Sequence, residues 1–268
     1  MKMVFLPKRT NNIVYGPWKS RRLGYSLGIN LNPSIYKTCN FDCVYCEFGE
    51  TVNKPSSISL DWLNIDHIEN VLEERLNRLK KRDWKLDSIT FSGNGEPTLY
   101  PEIQRLVYKT KNLRDKYYPE VPLSILTNSS LIGSKTIFKT LKEFDYIYAK
   151  LDVGSQKSFL YINRPVVTME LDKIVENLHK LQKCTGKVIL QTLIFKSSKS
   201  DEIDNSDPED TFNLVEKINL IYPLRIYVYT VNRHTSEHYV APANYSLLKS
   251  IVCIINKKMG KKSSIVIT

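Results

Sequence analysis

The chain has 268 residues, a formal charge of +11, 42% hydrophobic residues and five cysteines. That length is enough for one α/β barrel with a large core and no disulfides. No run approaches the ~18 apolar residues that a membrane span needs, and the apolar part of residues 1–9 is too short for a secretory signal. A cytoplasmic protein is therefore expected, with no membrane partner.

In chain order, residues 1–25 read as an N-terminal lead and 26–268 as one domain ending in a helix. Short apolar runs at 26–31, 88–92, 123–127, 147–152, 188–195 and 225–231 read as six strands. Between the first two, Trp62, Ile65, Ile68, Leu72, Leu76 and Leu79 recur every three or four positions, placing them on one helix face. Residues 102–116 form a second helical segment, and Leu171, Ile174, Val175, Leu178 and Leu181 mark another stripe. Further helices are expected at 208–220 and 245–257. Strands alternating with helices imply right-handed crossovers and a parallel sheet. The fold class is α/β.

Loops at the carboxyl ends of parallel strands gather into one site. The first strand leads into Cys39, Cys43 and Cys46, a C-x3-C-x2-C run with Tyr45 just before the last cysteine. The second opens into the turn Gly93-Asn94-Gly95-Glu96, the third ends at Asn128, and the fourth ends at Asp152. Four successive strands thus deliver polar residues to one edge. Three thiolates are one too few for a closed tetrahedral site, whereas a [4Fe–4S] cubane held by three cysteines keeps one iron open for a ligand. A zinc knuckle or three unligated thiols are the structural alternatives. Cys184 and Cys253 stand apart and read as packed thiols.

Other features carry less. Lys8 and Arg9, Lys19 with Arg21 and Arg22, Lys80 to Arg82, and Lys257, Lys258, Lys261 and Lys262 form basic groups. With sixteen tyrosines they suit RNA or another polyanion, and equally a solvated lysine-rich surface. His234 and His238 are four apart without a zinc protease's intervening glutamate. The acidic stretch from Asp201 to Asp210 lacks the glycine and terminal glutamate of a calcium loop.

The cysteine spacing and the glycine turn resemble the radical S-adenosylmethionine (radical SAM) superfamily. Within it, Tyr15-Gly16-Pro17, Ser20-Arg21-Arg22-Leu23-Gly24, Leu126-Thr127-Asn128, Lys150-Leu151-Asp152, Asn163-Arg164-Pro165 and Gln191-Thr192 are similar to the Fe–S oxidoreductases related to wyosine synthases. Wyosine synthases proper carry upstream cysteines for a second cluster, and this chain has none before Cys39. The resemblance implies a partial (β/α)6 TIM-like barrel with outer helices. It also implies a [4Fe–4S] cluster on Cys39, Cys43 and Cys46, SAM as the second cofactor, and flavodoxin or ferredoxin as electron donor.

It further implies SAM contacts from Tyr45 near the adenine, from Gly93, Asn94, Gly95 and Glu96 at the methionyl amine, and from Asn128 and Asp152. Gln191 and Arg164 are candidates for the same cofactor, Arg164 through a bidentate carboxylate pair. Arg21 and Arg22 face either a substrate phosphate or solvent. The substrate implied is a nucleoside or a tRNA base. Two alternatives stay open: an enzyme that activates a glycyl radical on a partner protein, and a noncatalytic Fe–S or zinc RNA-binding module.

Overall fold

A computed structural model describes residues 12–32, 36–52, 62–260 and 264–268. Lys8, Arg9, Lys261 and Lys262 lie outside the described residues. The chain runs through β1 (Val14–Ser20), β2 (Gly24–Ile29), α1 (Ile65–Lys81), β3 (Ser88–Phe91), α2 (Ile103–Tyr117), β4 (Leu123–Thr127), α3 (Lys135–Leu141) and β5 (Tyr146–Lys150). A single turn, α4 (Gln156–Ser158), continues into a wide turn over Phe159–Asn163. Then follow α5 (Leu171–Thr185), β6 (Val188–Leu193), β7 (Phe195–Ser197), α6 (Pro208–Ile221), β8 (Arg225–Tyr229), β9 (Val240–Pro242), α7 (Tyr245–Met259) and β10 (Ser264–Ile267).

The main sheet has eight strands in the order β1-β2-β3-β4-β5-β6-β8-β10. From β2 to β10 every neighbour is parallel, and β1 alone pairs antiparallel, with Val14 opposite Ile29 and Ser20 opposite Gly24. The sheet is therefore α/β and mostly parallel, and among the described residues it does not close into a barrel. The six strands read from sequence are its parallel core. Strand β1 has no alternation clear enough to read from sequence.

The expected strand over 188–195 is divided in the structure. Asn205 is the reason: its Oδ1 accepts from Phe195 N (2.9 Å) and its Nδ2 donates to Leu193 O (2.6 Å). These bonds replace the ladder at the junction, so Phe195–Ser197 leaves the main sheet and pairs antiparallel with Val240–Pro242.

Helix formation follows the apolar stripes. In α1 the buried residues are Ile65, Ile68, Leu72, Leu76 and Leu79, and Asn64 caps the first turn by accepting from Asp66 N and His67 N. In α5 they are Leu171, Ile174, Val175, Leu178 and Leu181, and Gly186 ends the helix with φ of 67°. Cys184 and Cys253, read as packed thiols, are instead exposed. Cys253 is off the buried stripe Leu248, Ile251, Ile255 and Met259 of α7, and Cys184 sits past the last buried residue of α5.

The sheet's outer face packs on these helices. Its inner face holds a separate apolar group of Tyr148, Ile189 and Tyr227. Beside that group lies a row of small hydroxyls: Ser26 to Thr90 (2.8 Å), Thr90 to Ser88 (2.9 Å) and Ser88 to Ser124 (3.1 Å). The inner, concave face thus carries both apolar side chains and buried hydroxyls. No helix among the described residues is long and apolar enough to cross a membrane.

Candidate functional site

The cysteine loop follows β2 and is stitched down on both sides by backbone. On one side Thr38 N donates to Asn94 O (3.0 Å) and Glu96 N to Thr38 O (3.0 Å), which seats the glycine turn beneath the loop. On the other, Val44 N donates to Ile162 O (2.9 Å), Asp42 N to Arg164 O (3.0 Å) and Val166 N to Asn40 O (3.0 Å). Phe41 meets Phe159 edge-on at 5.5 Å. These bonds fix the loop before any ligand is considered.

The glycines explain how the turn comes so close. Gly95 has φ of 151°, and a Cβ built there would lie 1.7 Å from Thr38 O. At Gly93 a Cβ would meet Asn30 Oδ1 at 2.1 Å. Asn94 is buried in the same turn, its N–H donating to Asn30 Oδ1 (3.1 Å). Glu96 is engaged within the protein. Its Oε1 accepts from Thr98 Oγ1 (2.6 Å) and Thr127 Oγ1 (2.7 Å), and its Oε2 from Asn128 N (2.6 Å). Burial pushes its carboxyl above the usual range, against the pull of those donors.

One cleft is lined by Cys43, Cys46, Tyr45, Asn128, Lys150, Asp152 and Asn163, with an apolar wall that includes Phe41, Val153 and Phe159. Cys39 borders it, since Asn128 Nδ2 lies 3.6 Å from its sulfur. Asn163 Nδ2 stands 3.6 Å from Cys43 Sγ and Phe41 N 3.4 Å from Cys39 Sγ. N–H groups pointed at sulfur suit thiolate ligands. As free thiols, Cys39 and Cys43 are pushed up by burial, which makes an unpartnered thiolate costly and a positively charged ligand favourable. Among the described residues no three His, Cys, Asp or Glu side chains converge as a single-ion site. A cubane does not ask for that, because each cysteine ligates a different iron. The donors fit an iron–sulfur cluster.

Asp152 is 1% exposed and lies at the cleft floor. Its Oδ2 accepts from Tyr45 OH (2.5 Å), its Oδ1 from Leu193 N (2.7 Å), and Lys150 Nζ stands 3.0 Å away. Burial works against the Lys150 charge, but Asp152 and Tyr229 more than offset it and hold the ammonium above its ordinary value. The Tyr45 phenol is held well above its ordinary value by burial and then by Asp152.

Of the expected cofactor contacts, Tyr45, Asn128 and Asp152 are in that lining, whereas Gly93, Asn94, Gly95 and Glu96 stay in the turn after β3, and Arg164 and Gln191 lie elsewhere. Arg164 pairs with Glu237 (2.5 Å) rather than with another carboxylate. Gln191 sits on the concave face, where its Oε1 accepts from Arg22 Nη1 (3.0 Å). Arg22 also lies over the Tyr229 ring at 4.3 Å, and Lys150 Nζ donates to Tyr229 OH (3.0 Å). Lys150 and Asn163 stand in motifs quoted from the sequence, but neither they nor Lys37 carry a site role there. A signal for Lys150 existed: it is two residues from Asp152 across the end of a strand, where alternate side chains share a face. The Lys37 side chain is 2% exposed. Burial works against its charge, yet Cys46, Cys39, Cys43 and Asp42 together raise its pKa above the ordinary value.

The family model described as "Radical SAM superfamily" matches residues 34–206. A UPF0026 protein of Methanocaldococcus jannaschii is 35% identical over 250 residues, 93% of this chain and 73% of its own length. A UPF0026 protein of Helicobacter pylori is 33% identical over 71% of this chain, which spans only 59% of that relative. A probable GTP 3′,8-cyclase of Pyrococcus abyssi is 26% identical over 73% of this chain and 55% of its own. Among solved structures, a radical SAM methyltransferase from Sphaerobacter thermophilus superposes with a TM-score of 0.65 at 11% identity, covering 91% of this chain and 66% of that one. TYW1 with a lysine-pyruvate adduct superposes with a TM-score of 0.59 at 14% identity, covering 87% and 73%. At such identities these structures speak for the fold alone.

Proposed function

The chain belongs to the radical SAM superfamily, and on that premise we propose that Cys39, Cys43 and Cys46 hold a [4Fe–4S] cluster open to SAM, with a nucleoside or nucleotide as substrate. It is a radical SAM enzyme. When bound and reduced by flavodoxin or ferredoxin, the cluster supplies the electron that cleaves SAM to methionine and a 5′-deoxyadenosyl radical, which takes hydrogen from the substrate. The carrying observation is the single cleft in which Cys43, Cys46, Asn128 and Asp152 meet.

The protein's part is to orient and to exclude water. Asn128 and Asn163 direct amide donors at Cys39 and Cys43. Asp152 and Asn128 present acceptors and donors for ribose hydroxyls or the methionine carboxylate. Tyr45 holds Asp152 in place and offers a ring wall for the adenine, while Phe41, Val153 and Phe159 keep the cleft dry. The Gly93–Glu96 turn acts chiefly by supporting the loop and β4's end, with its rim left for the methionyl amine. Residues 26–268 are taken as one catalytic domain, working in the cytoplasm.

The substrate reading rests on the concave face. Among the described residues, Arg22 has no carboxylate within ion-pair distance, and it shares Tyr229 with Lys150. A half-buried guanidinium without an acid suits a phosphate on the substrate, and the chain's +11 charge favours polyanions at long range. The GTP-cyclase relative is consistent with that class. Anaerobic reconstitution with iron and sulfide, followed by SAM and dithionite, should yield 5′-deoxyadenosine. Preparations carrying [4Fe–4S] that release none would overturn the reading in favour of a noncatalytic module.

A further inference from the structure

Lysine is among the residues least often fully buried, because its ammonium loses hydration and needs a compensating partner. Lys37 nevertheless ranks among the largest fully buried side chains of the molecule. Its partners among the described residues do not account for that. Nζ donates to Gly49 O (2.9 Å), and Asp42 Oδ1 stands 3.4 Å away. That carboxylate oxygen already accepts from Thr51 N at 2.7 Å, and the Asp42 side chain is 23% exposed. An ammonium has three donors to satisfy, and a buried charge is stable only when paired well.

What surrounds it is the cysteine loop. Lys37 is two residues before Cys39, and the loop returns over it, with Cys46 N bonded to Cys43 O and Gly49 N to Cys46 O. Asp42, between Cys39 and Cys43, and Gly49, just beyond Cys46, are the two groups that hold its head among the described residues. The ammonium is therefore held from within and from just beyond the segment that carries all three sulfurs.

We propose that Lys37 is the built-in counter-charge of the cluster site: its ammonium, locked inside the Cys39–Cys46 loop, eases reduction of the bound cluster and favours its retention. This rests on the cluster reading above. The physics is a sign argument. One electron from a low-potential reductant takes the [4Fe–4S] core from 2+ to 1+, and with three thiolates the net charge goes from −1 to −2. No proton moves, and Lys37 stays charged throughout. A fixed cation nearby in a poorly solvated loop stabilises the more negative state, so it raises the reduction potential. Lys37 is a positioning and tuning residue; it need not touch SAM or substrate.

The test compares wild type, Lys37→Gln and Lys37→Arg after anaerobic loading. Iron and sulfide per chain are measured first, then an EPR-monitored titration with dithionite. Gln keeps a donor for Gly49 O and removes the charge; Arg keeps the charge. Lys37→Gln should reduce with an equilibrium constant about tenfold lower, about 59 mV more negative for one electron, while Lys37→Arg stays with wild type. If Lys37→Gln does not retain cluster and Lys37→Arg does, the counter-charge is likewise upheld. A loaded Lys37→Gln that titrates with wild type overturns the proposal, as does loss of cluster from both variants, which would mark ordinary packing. Wild type that takes up no cluster is a different failure: it removes the cluster reading itself, and this inference with it.

Discussion

The edges of β2 to β5 and of β6 to β8 are built on opposite plans. Around the cysteine loop the ties include backbone bonds, from Thr38 to the glycine turn and from Val44 to Ile162, with short side chains such as Asn128 and Asp152 closing the rest. Across the concave face toward β6 and β8, the ties are long side chains: Arg22 reaching Gln191 and Tyr229, Lys150 reaching Tyr229, Arg225 reaching Tyr227. Backbone ties fix a geometry that cannot vary without strain. Side-chain ties can be exchanged for a ligand at small cost. The first plan suits a resident cofactor, and the second a substrate that comes and goes.

Four tests by substitution can break or sharpen that contrast. The largest effect is expected from serine at Cys39, Cys43 or Cys46: iron content should collapse and 5′-deoxyadenosine fall to background, with the fold intact by circular dichroism. Turnover surviving in all three variants would remove the assignment. Asp152→Asn should come next, because it leaves the half-buried Lys150 ammonium facing a neutral amide in place of a buried carboxylate. A loss of about 3 kcal/mol is expected, read from urea unfolding, and a wild-type midpoint would show that the pair is not structural.

Gly95→Ala places a methyl against Thr38 O at a φ that L residues rarely adopt. About 2–3 kcal/mol of stability should go, and cluster loading with it; unchanged stability would mean that the loop and turn are not locked together. Arg22→Gln belongs to the other region and should cost under about 1 kcal/mol, the worth of a partly exposed cation–π contact. It should leave uncoupled 5′-deoxyadenosine formation near wild type while weakening binding of phosphorylated nucleosides, measured by calorimetry. Unaltered binding would return Arg22 to a purely structural role.

The two regions also differed in how far sequence revealed them. Around the cluster, the chemistry resides in rare residue types at short spacing, so Cys39, Cys43 and Cys46 and the Gly93–Glu96 turn stand out, and strand ends bring Asn128 and Asp152 alongside. The parallel core was legible because apolar runs alternate with helical stripes. Across the concave face the partners are 169 residues apart for Arg22 and Gln191, and no local pattern marks such a pair. Lysines are so frequent in this chain that no local pattern sets apart buried Lys37 or half-buried Lys150. Asn205, which divides the strand over 188–195, acts through its own side chain on backbone ten residues away. Gln191 and Arg164 were readable as polar residues on a site edge, but their partners, Arg22 and Glu237, depend on the tertiary fold.

The central claim is a metal position left open beside Asn128 and Asp152, and EPR of the dithionite-reduced, cluster-loaded protein tests it most directly. Adding SAM should change the g values of the signal, because under this account its methionyl group would bind at the open iron. A spectrum that is identical with and without SAM would contradict the account.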